Sequence, residues 1–304
     1  MTERFAAPTT IEAALRILAS DDAARPVAGG TDLVVAARQG RKPLPASIVA
    51  IDRIVALARH DVVDGALVLG ALVSHDWLAE SSVVAAGWTA LADGSAIVGS
   101  PATRSTGTIG GNLMNASPAA DTTGPLVVLD ASLTLVAADS SARSVAVADL
   151  ATGPGRTVAT RSELLTEIAV PAPAAGSGSA YVRLEYRRAM EIAVVGAAAL
   201  VTLNGDGRVA AARIALTAVA PTIVRAPDAE AALVGAAADA TTFRAAAEAA
   251  AAAARPIDDV RASADYRRAM LVVVVARTLA AAAARARGES IPIPASRWAA
   301  GQVV

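Results

Sequence analysis

Apolar residues recur at helical and strand spacings along the first part of the chain. The segment Thr9-Thr-Ile-Glu12 has the spacing of a capping box, and Ile11, Leu15 and Leu18 recur at helical intervals. A helix is therefore predicted over 10–20. The other elements predicted here are a strand over 25–28, a helix over 32–39 that ends at Gly40, and a strand over 47–51. This alternation predicts a small α/β unit over residues 1–58.

Residues 59–175 show a mixed pattern, in which short apolar runs and helical segments are interleaved. The predicted strands are 66–69, 133–137 and 163–170, and the predicted helices are 75–80, 83–92 and 122–129. The last of these helices is expected to follow a long glycine loop. The segment Ala172–Ser179 contains only Pro, Ala, Gly and Ser, which is typical of a linker. A second unit is therefore expected to end at residue 175.

The last unit, 176–304, begins with strands and ends with helices. The predicted strands are 180–187, 192–203 and 208–216, with a hairpin turn at Asn204-Gly-Asp-Gly207, and the predicted helices are 227–234, 241–254 and 263–286, before an irregular tail. The expected fold class is α+β. A small α/β unit and a larger α+β unit precede a three-stranded antiparallel sheet packed by helices.

Composition and charge exclude several classes of protein. The 304 residues include no cysteine and two histidines, so the chain offers no thiolate or iron–sulfur site, and a histidine-based metal site is not expected. His75, next to Ser74, resembles part of a helix cap, and His60 is expected at the surface. The formal net charge is −1 and no basic stripe is interleaved with aromatic residues, which argues against a nucleic-acid partner.

The mean hydropathy of +0.48 raises the question of a membrane segment. The most apolar C-terminal run, 271–276, ends at Arg277, and the alanine-rich run 245–254 contains Glu248. Neither reaches the ~20 apolar residues that a spanning helix needs. The first residues show no signal peptide, so a cytoplasmic protein without a transmembrane segment is expected.

The candidate chemistry lies in two glycine-centred segments. Ala28-Gly-Gly-Thr-Asp-Leu33 follows a predicted strand and precedes a predicted helix, where exposed amides favour a pyrophosphate. About eighty residues further on, the second segment, 100–121, contains Thr108-Ile-Gly-Gly-Asn112, followed by Asn115, Ser117 and Asp121. Glycines let a backbone approach a ligand closely, and these side chains suit sugar hydroxyls. For the first turn alone, the alternative interpretation is an ordinary connection between a strand and a helix. The two turns together indicate a long, two-ended cofactor.

These segments resemble the paired FAD motifs of the flavoprotein subunit of molybdenum hydroxylases. That family includes the medium subunit of carbon monoxide dehydrogenase and the flavin domain of xanthine dehydrogenase. The likeness continues in Tyr186-Arg-Arg188 with Glu191-Ile-Ala193, and Ala264-Asp-Tyr-Arg-Arg268 is similar to the opening of the family's last long helix. The resemblance covers nearly the whole chain. It implies a two-part, vanillyl-alcohol-oxidase-like FAD domain followed by a C-terminal flavoprotein domain.

The resemblance also implies an electron-transfer subunit of an oxidoreductase. In the family, a large molybdopterin subunit oxidises the substrate, and a small subunit with two 2Fe–2S clusters passes the electrons to FAD in the medium subunit. Two one-electron reductions of FAD are followed by reoxidation by NAD, a quinone or oxygen. The expected assembly is a dimer of heterotrimers. No catalytic residue and no metal ligand is expected in this chain itself.

The residues that the resemblance assigns to FAD are Ala28, Gly29, Gly30, Thr31, Asp32, Leu33, Thr108, Gly110, Gly111, Asn112, Ser117, Asp121, Arg183 and Ile192. The turn 28–33 is expected to give its amides to the pyrophosphate, with a hydroxyl from Thr31. Asp32 is expected to cap the following helix or to bind a ribityl or ribose hydroxyl. Its alternative is a plain acid at a helix start.

In the second segment, Thr108 and Asn112 match positions that contact the phosphates and the flavin side. Gly110 and Gly111 are expected to allow close backbone approach, and Asp121 matches the carboxylate that accepts from the adenosine ribose. Ser117 is expected to shape the turn. Asn115 is equally a ligand or a turn former.

Two further positions lie in the C-terminal unit. Arg183 stands where relatives carry a lysine that reaches the isoalloxazine, and a cation there stabilises an anionic reduced flavin. Its alternative is a solvated strand arginine. Ile192 matches a residue that screens the flavin ring, although the sequence alone makes it ordinary core. Arg187 and Arg188 either pair with nearby acids or face a partner subunit.

Two other functions stay open at this point. One is a self-contained FAD oxidase or reductase with the same type of fold, although the chain has no cysteine for covalent tethering and no clear acid/base set. The other is a scaffold that has kept the fold and lost the flavin. The intact glycines, Thr108, Asn112 and Asp121 argue against the scaffold.

Overall fold

The computed structural model describes residues 4–187 and 189–301. The first elements are β1 (Arg4–Ala6), α1 (Ile11–Ser20), β2 (Ala24–Val27), α2 (Thr31–Arg38), β3 (Ser47–Ala50) and a 3₁₀ turn (Val55–Ala58). The strands form a parallel sheet in the order β1-β3-β2. Thr10, rather than Thr9, caps α1, because its hydroxyl accepts from the amide of Ala13 at 3.2 Å. The short strand β1 was not predicted, since its three residues carry no periodic pattern and pair only with distant β3.

The second group of elements surrounds a five-stranded antiparallel sheet. Its members are β4 (His60–Val63), β5 (Ala66–Gly70), α3 (His75–Glu80), α4 (Ser82–Gly87), α5 (Thr89–Ala96), α6 (Pro101–Thr106), α7 (Ile109–Asn115), α8 (Thr123–Val128), β6 (Ser132–Val136), β7 (Ala142–Ala146), α9 (Val147–Leu150), β8 (Ala151–Gly153), β9 (Arg156–Thr157) and β10 (Leu164–Val170). The sheet order is β4-β5-β10-β6-β7, and β8 and β9 pair separately.

Two predictions for this part were wrong. The helix predicted over 83–92 is two helices, α4 and α5, with the break at Trp88, whose indole N–H donates to the carbonyl of Pro171 at 2.8 Å. The second glycine segment was expected to be a loop, and it contains the short helices α6 and α7. A contact distant in sequence holds the break at Trp88, whereas α6 and α7 begin at local side-chain caps, Ser100 and Thr108.

The last group forms a second antiparallel sheet with helices on one side. Its members are β11 (Ser177–Leu184), β12 (Val195–Leu203), β13 (Val209–Thr217), β14 (Val224–Arg225), α10 (Pro227–Leu233), α11 (Ala240–Ala251), α12 (Ala264–Ala286) and α13 (Ala295–Ala299). The three long strands confirm the expected sheet, to which β14 adds a two-residue fourth strand at the edge. The tail expected to be irregular contains α13.

The long helix α12 is a core helix of this last unit. It is 23 residues long, and its apolar window has a mean hydropathy of 1.7, so by length and composition it meets the requirement for crossing a membrane. More than half of that window is buried inside the protein, and the helix shares an apolar core with β11, β12 and α11. Burial against the sheet accounts for its apolar composition.

A buried carboxylate joins the last two groups of elements. Asp93 of α5 is wholly buried and accepts from both Nη atoms of Arg285, at 2.6 and 3.0 Å. It also accepts from the amides of Tyr181 and Ala295 at 3.0 and 2.9 Å. One side chain therefore ties α5 to β11, α12 and α13, and the C-terminal sheet has a fixed position beside the cofactor segments.

Candidate cofactor site

The turn between β2 and α2 has a conformation and a packing that require glycine. Gly30 is the N-cap of α2 and has a φ of +66°, in the left-handed region. A Cβ on Gly29 would lie 1.9 Å from the carbonyl oxygen of Thr106, at the end of α6. The first glycine turn therefore lies directly against the second segment.

The N-terminus of α2 is open to an anion. Its N-cap makes no side-chain hydrogen bond, because Gly30 has no side chain, and none of the helix residues, which include Thr31 and Leu33, is buried. The first amides of a helix have no intrahelical acceptor, and the helix dipole places positive charge there. Together with Ala28, a partly buried residue, this end of α2 can bind a phosphate through main-chain N–H groups.

Asp32 connects the two motifs and does not cap the helix. The expectation of a cap was wrong, because Gly30 occupies the N-cap position and the Asp32 carboxylate lies in the first turn. Its Oδ2 accepts from the amide Nδ2 of Asn115 at 3.1 Å. Desolvation by the surrounding protein raises the pKa of Asp32. Asn115, at the end of α7, thus acts as a bridge between the segments, in addition to its place in the turn.

The start of α7 is fixed by a side-chain cap and by a backbone hydrogen bond to Ala71. The hydroxyl of Thr108 accepts from the amide of Gly111 at 3.0 Å, and the amide of Gly110 donates to the carbonyl of Ala71 at 3.0 Å. A Cβ on Gly110 would lie 2.6 Å from that carbonyl oxygen. The close approach that Gly110 permits is therefore to the protein's own backbone. Gly111 is exposed, and its backbone can be approached by a ligand.

Asn112 and Ser117 both make local hydrogen bonds. The Asn112 Oδ1 accepts from the hydroxyl of Thr122 at 2.8 Å, which fixes which way the amide points. The hydroxyl of Ser117 accepts from the amide of Ala119 at 3.3 Å. This contact is the turn-shaping role that the sequence predicted for Ser117.

Asp121 and Arg183, both expected to contact the cofactor, contact each other. Arg183 Nη1 donates to Asp121 Oδ2 at 2.5 Å, and its Nε donates to Glu185 Oε2 at 2.7 Å. The Arg183 side chain is 0% exposed, so the alternative of a solvated arginine is wrong. The other oxygen of Asp121 accepts from the Tyr181 hydroxyl at 2.9 Å. Burial raises the pKa of Asp121 to about 6, although the Arg183 charge opposes the shift.

Ile192 lies in the loop between β11 and β12 and is 45% exposed, so it is not a core residue. The same loop touches the second segment, since the hydroxyl of Thr103 donates to the sulfur of Met190 at 3.8 Å. An exposed apolar side chain beside the motif fits the expected role of covering a flavin ring. Arg187 pairs with Glu191 at 3.0 Å, whereas Arg188 lies outside the described residues.

Sequence reasoning missed Gly107 and His75. The amide of His75 donates to the carbonyl of Gly107 at 3.1 Å, and a Cβ on Gly107 would lie 3.3 Å from the His75 ring. The ring is 2% exposed, and burial, with a contribution from the Arg104 charge, lowers the pKa of His75 to about 4. Gly107 is visible in the sequence as one more glycine before Thr108, but the histidine beneath it is brought there only by the fold.

The neighbouring residues follow the expectations more closely. Ser74 is the N-cap of α3 and accepts from the amide of Trp77 at 3.2 Å, while His75 is the first helical residue. His60 is exposed, as expected, and its ring centroid lies 4.0 Å from that of Trp77. Within 4–187 and 189–301, no three His, Asp or Glu side chains are grouped closely enough to hold a metal ion.

Two family models match the chain in sequence. Residues 1–173, more than half of the chain, match the FAD binding domain in molybdopterin dehydrogenase, and residues 179–282 match the CO dehydrogenase flavoprotein C-terminal domain. The chain belongs to the FAD-binding subunits of molybdenum hydroxylases. As a member of that family it is an oxidoreductase subunit, and FAD is its cofactor.

Relatives and solved structures agree with this assignment. The chain is 34% identical to the carbon monoxide dehydrogenase medium chain of Afipia carboxidovorans, over 92% of this chain and 96% of the relative. It is 33% identical to subunit alpha of the 6-hydroxypseudooxynicotine dehydrogenase complex of Paenarthrobacter nicotinovorans, over 91% and 93%. Among solved structures, carbon monoxide dehydrogenase from Hydrogenophaga pseudoflava matches with a TM-score of 0.89 and 33% identity, over 94% of this chain and 98% of that chain.

The residues at the junction of the two motifs fit FAD. The uncapped end of α2 supplies N–H groups for a pyrophosphate, and Gly111 leaves room for a ligand because it is exposed and has no side chain. Asp32 and Asn112 are polar groups suited to sugar and flavin hydrogen bonds, and Ile192 is an apolar side chain suited to a ring. The donor set has the mixed polar and apolar character that a dinucleotide cofactor needs.

Proposed function

We propose that this chain is the electron-transfer subunit of a molybdopterin-dependent hydroxylase or dehydrogenase. It takes electrons from 2Fe–2S clusters of a small partner subunit and passes them to an external acceptor, which is NAD, a quinone or oxygen. The large partner subunit holds molybdopterin and oxidises the substrate. The complex is a dimer of heterotrimers in the cytoplasm. Bound FAD supplies redox chemistry that can exchange electrons one or two at a time.

The contact between Gly29 and Thr106 carries this proposal. It brings an uncapped helix N-terminus and a second glycine segment together, which is the arrangement that a long, two-ended cofactor requires. In this proposal the two expected halves of the cofactor site form one site. The family membership makes that cofactor FAD.

The chain's own residues bind and orient the cofactor and do no acid–base chemistry in this proposal. The amides of Gly30 and Thr31 bind the phosphates, and Thr108 holds the backbone of Gly111 in place. His75 is buried and neutral near neutral pH, which suits packing beneath the site rather than proton transfer. Ile192 excludes water from one side of the ring.

The division of the chain into 1–58, 59–175 and 176–304 is part of the proposal. Each sheet takes its strands from one of these three ranges only. The first two ranges together form the FAD-binding domain, and the third is the C-terminal flavoprotein domain.

The test is purification of the chain from its native host, with identification of bound cofactor and copurifying chains. The expected result is a flavin spectrum that yields FAD on extraction, together with iron–sulfur and molybdopterin-containing partners. FAD on a lone chain that oxidises or reduces a small molecule unaided would replace this proposal with a self-contained flavoenzyme. A chain that stays colourless after incubation with FAD would leave only the scaffold.

A further inference from the structure

The segment 117–122 is held by the C-terminal sheet. Asp121 accepts from the Tyr181 hydroxyl at 2.9 Å and from Arg183 Nη1 at 2.5 Å, and both donors belong to β11. The carbonyl of Pro118 accepts from the amide of Ala218, directly after β13, at 2.8 Å. The segment therefore takes its position from the C-terminal unit, although it follows directly on the second glycine motif in the chain.

The other end of the same segment holds the cofactor motif. Thr122, next to Asp121, is wholly buried, and its hydroxyl donates to Asn112 Oδ1 at 2.8 Å. A path of two hydrogen bonds and one peptide link thus runs from Tyr181 through Asp121 and Thr122 to Asn112. The path joins the C-terminal sheet to a residue of the second glycine segment.

The fold makes room for the tyrosine hydroxyl at the start of this path. A Cβ on Gly196 of β12 would lie 2.6 Å from the Tyr181 Oη and 3.2 Å from Thr217. Any larger residue at Gly196 would displace the hydroxyl from its place beside Asp121. Because Tyr181 is 0% exposed, a hydroxyl without a partner there is unfavourable, so the position of the Asp121 carboxylate is tightly specified.

We propose that Tyr181 is a positioning residue for the cofactor site, acting through Asp121 and Thr122 to fix the orientation of the Asn112 amide. This rests on the proposed function and on the role of FAD ligand that the family resemblance implies for Asn112. The C-terminal unit thereby orients an FAD ligand that belongs to the FAD-binding domain. The consequence is that a substitution at Tyr181, in the C-terminal sheet, changes FAD affinity.

A double-mutant cycle in the full-length chain tests the inference. Tyr181→Phe, Thr122→Val and the double variant are compared with wild type for the FAD dissociation constant and for the circular dichroism of the bound flavin. Each single change is expected to weaken FAD binding by about three- to tenfold, as for one lost hydrogen bond. The double variant is expected to bind FAD no more weakly than the weaker-binding of the two single variants, because both changes interrupt one path.

Tyr266→Phe is the matched control, since Tyr266 lies on the exposed part of α12 and is 42% exposed. It is expected to leave both readouts at wild-type values. An unchanged dissociation constant and flavin signal in Tyr181→Phe would overturn the inference, and so would effects that multiply in the double variant. A wild-type chain that binds no FAD would refute the proposed function itself.

If Tyr181→Phe yields no folded chain, Asp121 provides the second comparison. Asp121→Asn retains an oxygen that accepts from the Tyr181 hydroxyl, and Asp121→Ala does not. Tighter FAD binding by Asp121→Asn than by Asp121→Ala is the expected result. Equal dissociation constants for the two would overturn the inference.

Discussion

Gly29 lies against the main chain of Thr106 with no space for a side chain between them. The separation that a Cβ would have from the Thr106 carbonyl oxygen, 1.9 Å, is shorter than any real non-bonded contact. The neighbouring atoms are backbone, so they cannot move aside as a flexible side chain would. The apposition of the two cofactor motifs therefore depends on this one glycine.

Gly29→Ala is expected to abolish FAD binding, because the added methyl group forces the two segments apart. The control is Gly205→Ala in the hairpin turn between β12 and β13, where a Cβ meets nothing within 4 Å. The measurement is flavin absorbance per chain after incubation with FAD and gel filtration. A wild-type flavin content in Gly29→Ala would show that the two segments do not need this contact.

Thr108→Val is expected to destabilise α7 and to weaken FAD binding. The substitution removes the hydroxyl that accepts from the Gly111 amide, and the loss of such a cap costs about 0.5–2 kcal/mol. Thr108→Ser keeps the hydroxyl and is expected to restore most of both properties. Urea unfolding and FAD titration of the two variants make the comparison. If Thr108→Val and Thr108→Ser have the same free energy of unfolding and the same FAD dissociation constant, the hydroxyl has no role.

The neutral ring of His75 makes the stability of the protein depend on pH. Burial lowers its pKa from 6.5 to about 4. Between these values the unfolded chain binds a proton that the folded chain does not, so the free energy of unfolding falls as the pH falls. The contribution, on the order of 3 kcal/mol, is fully present above the ordinary pKa and is lost by about pH 4.

His75→Gln removes this titration. The free energy of unfolding of wild type is expected to fall more steeply than that of His75→Gln as the pH is lowered from neutral to about 4. His60→Gln, at an exposed position, is the control and is expected to follow wild type. Parallel curves for wild type and His75→Gln would mean that the buried ring is not the source of the pH dependence.

Arg285→Met is expected to lower the free energy of unfolding by about 3–5 kcal/mol, because it leaves the buried Asp93 carboxylate without its counter-ion. Arg244→Met removes the exposed pair with Glu248 and is expected to cost at most ~1 kcal/mol. Both positions lie on helices and undergo the same chemical change. Urea unfolding of the two variants decides the prediction, and equal losses would contradict it.

The elements that were predicted well are those whose pattern is local. The predicted helices 10–20 and 263–286 agree with α1 and α12 within one residue at either end, because apolar periodicity and a capping side chain are both visible in the sequence. Strands β4 and β7 were missed. Nearly all of their side chains are exposed, so they show no apolar alternation and are strands only because they pair with β5 and β6.

The cofactor segments show the same difference between features with a local sequence pattern and features that depend on distant contacts. Glycine disfavours helix, so the sequence indicated a loop where α7 forms. The helix exists because its first residues are bound by Val73 and Ala71, on a stretch that only the fold brings near. The chemistry of the segment was nevertheless recognisable, since hydroxyl, amide and glycine positions were all in place.

By itself the sequence determined the fold class, the two cofactor motifs and the family. These depend on residue types at fixed local spacing. The tertiary structure alone decided that Gly29 touches Thr106 and that Arg183 is enclosed by Asp121 and Glu185. Such pairings depend on where distant segments meet in space. The packing determines which charged group lies beside a given side chain and pairs with it.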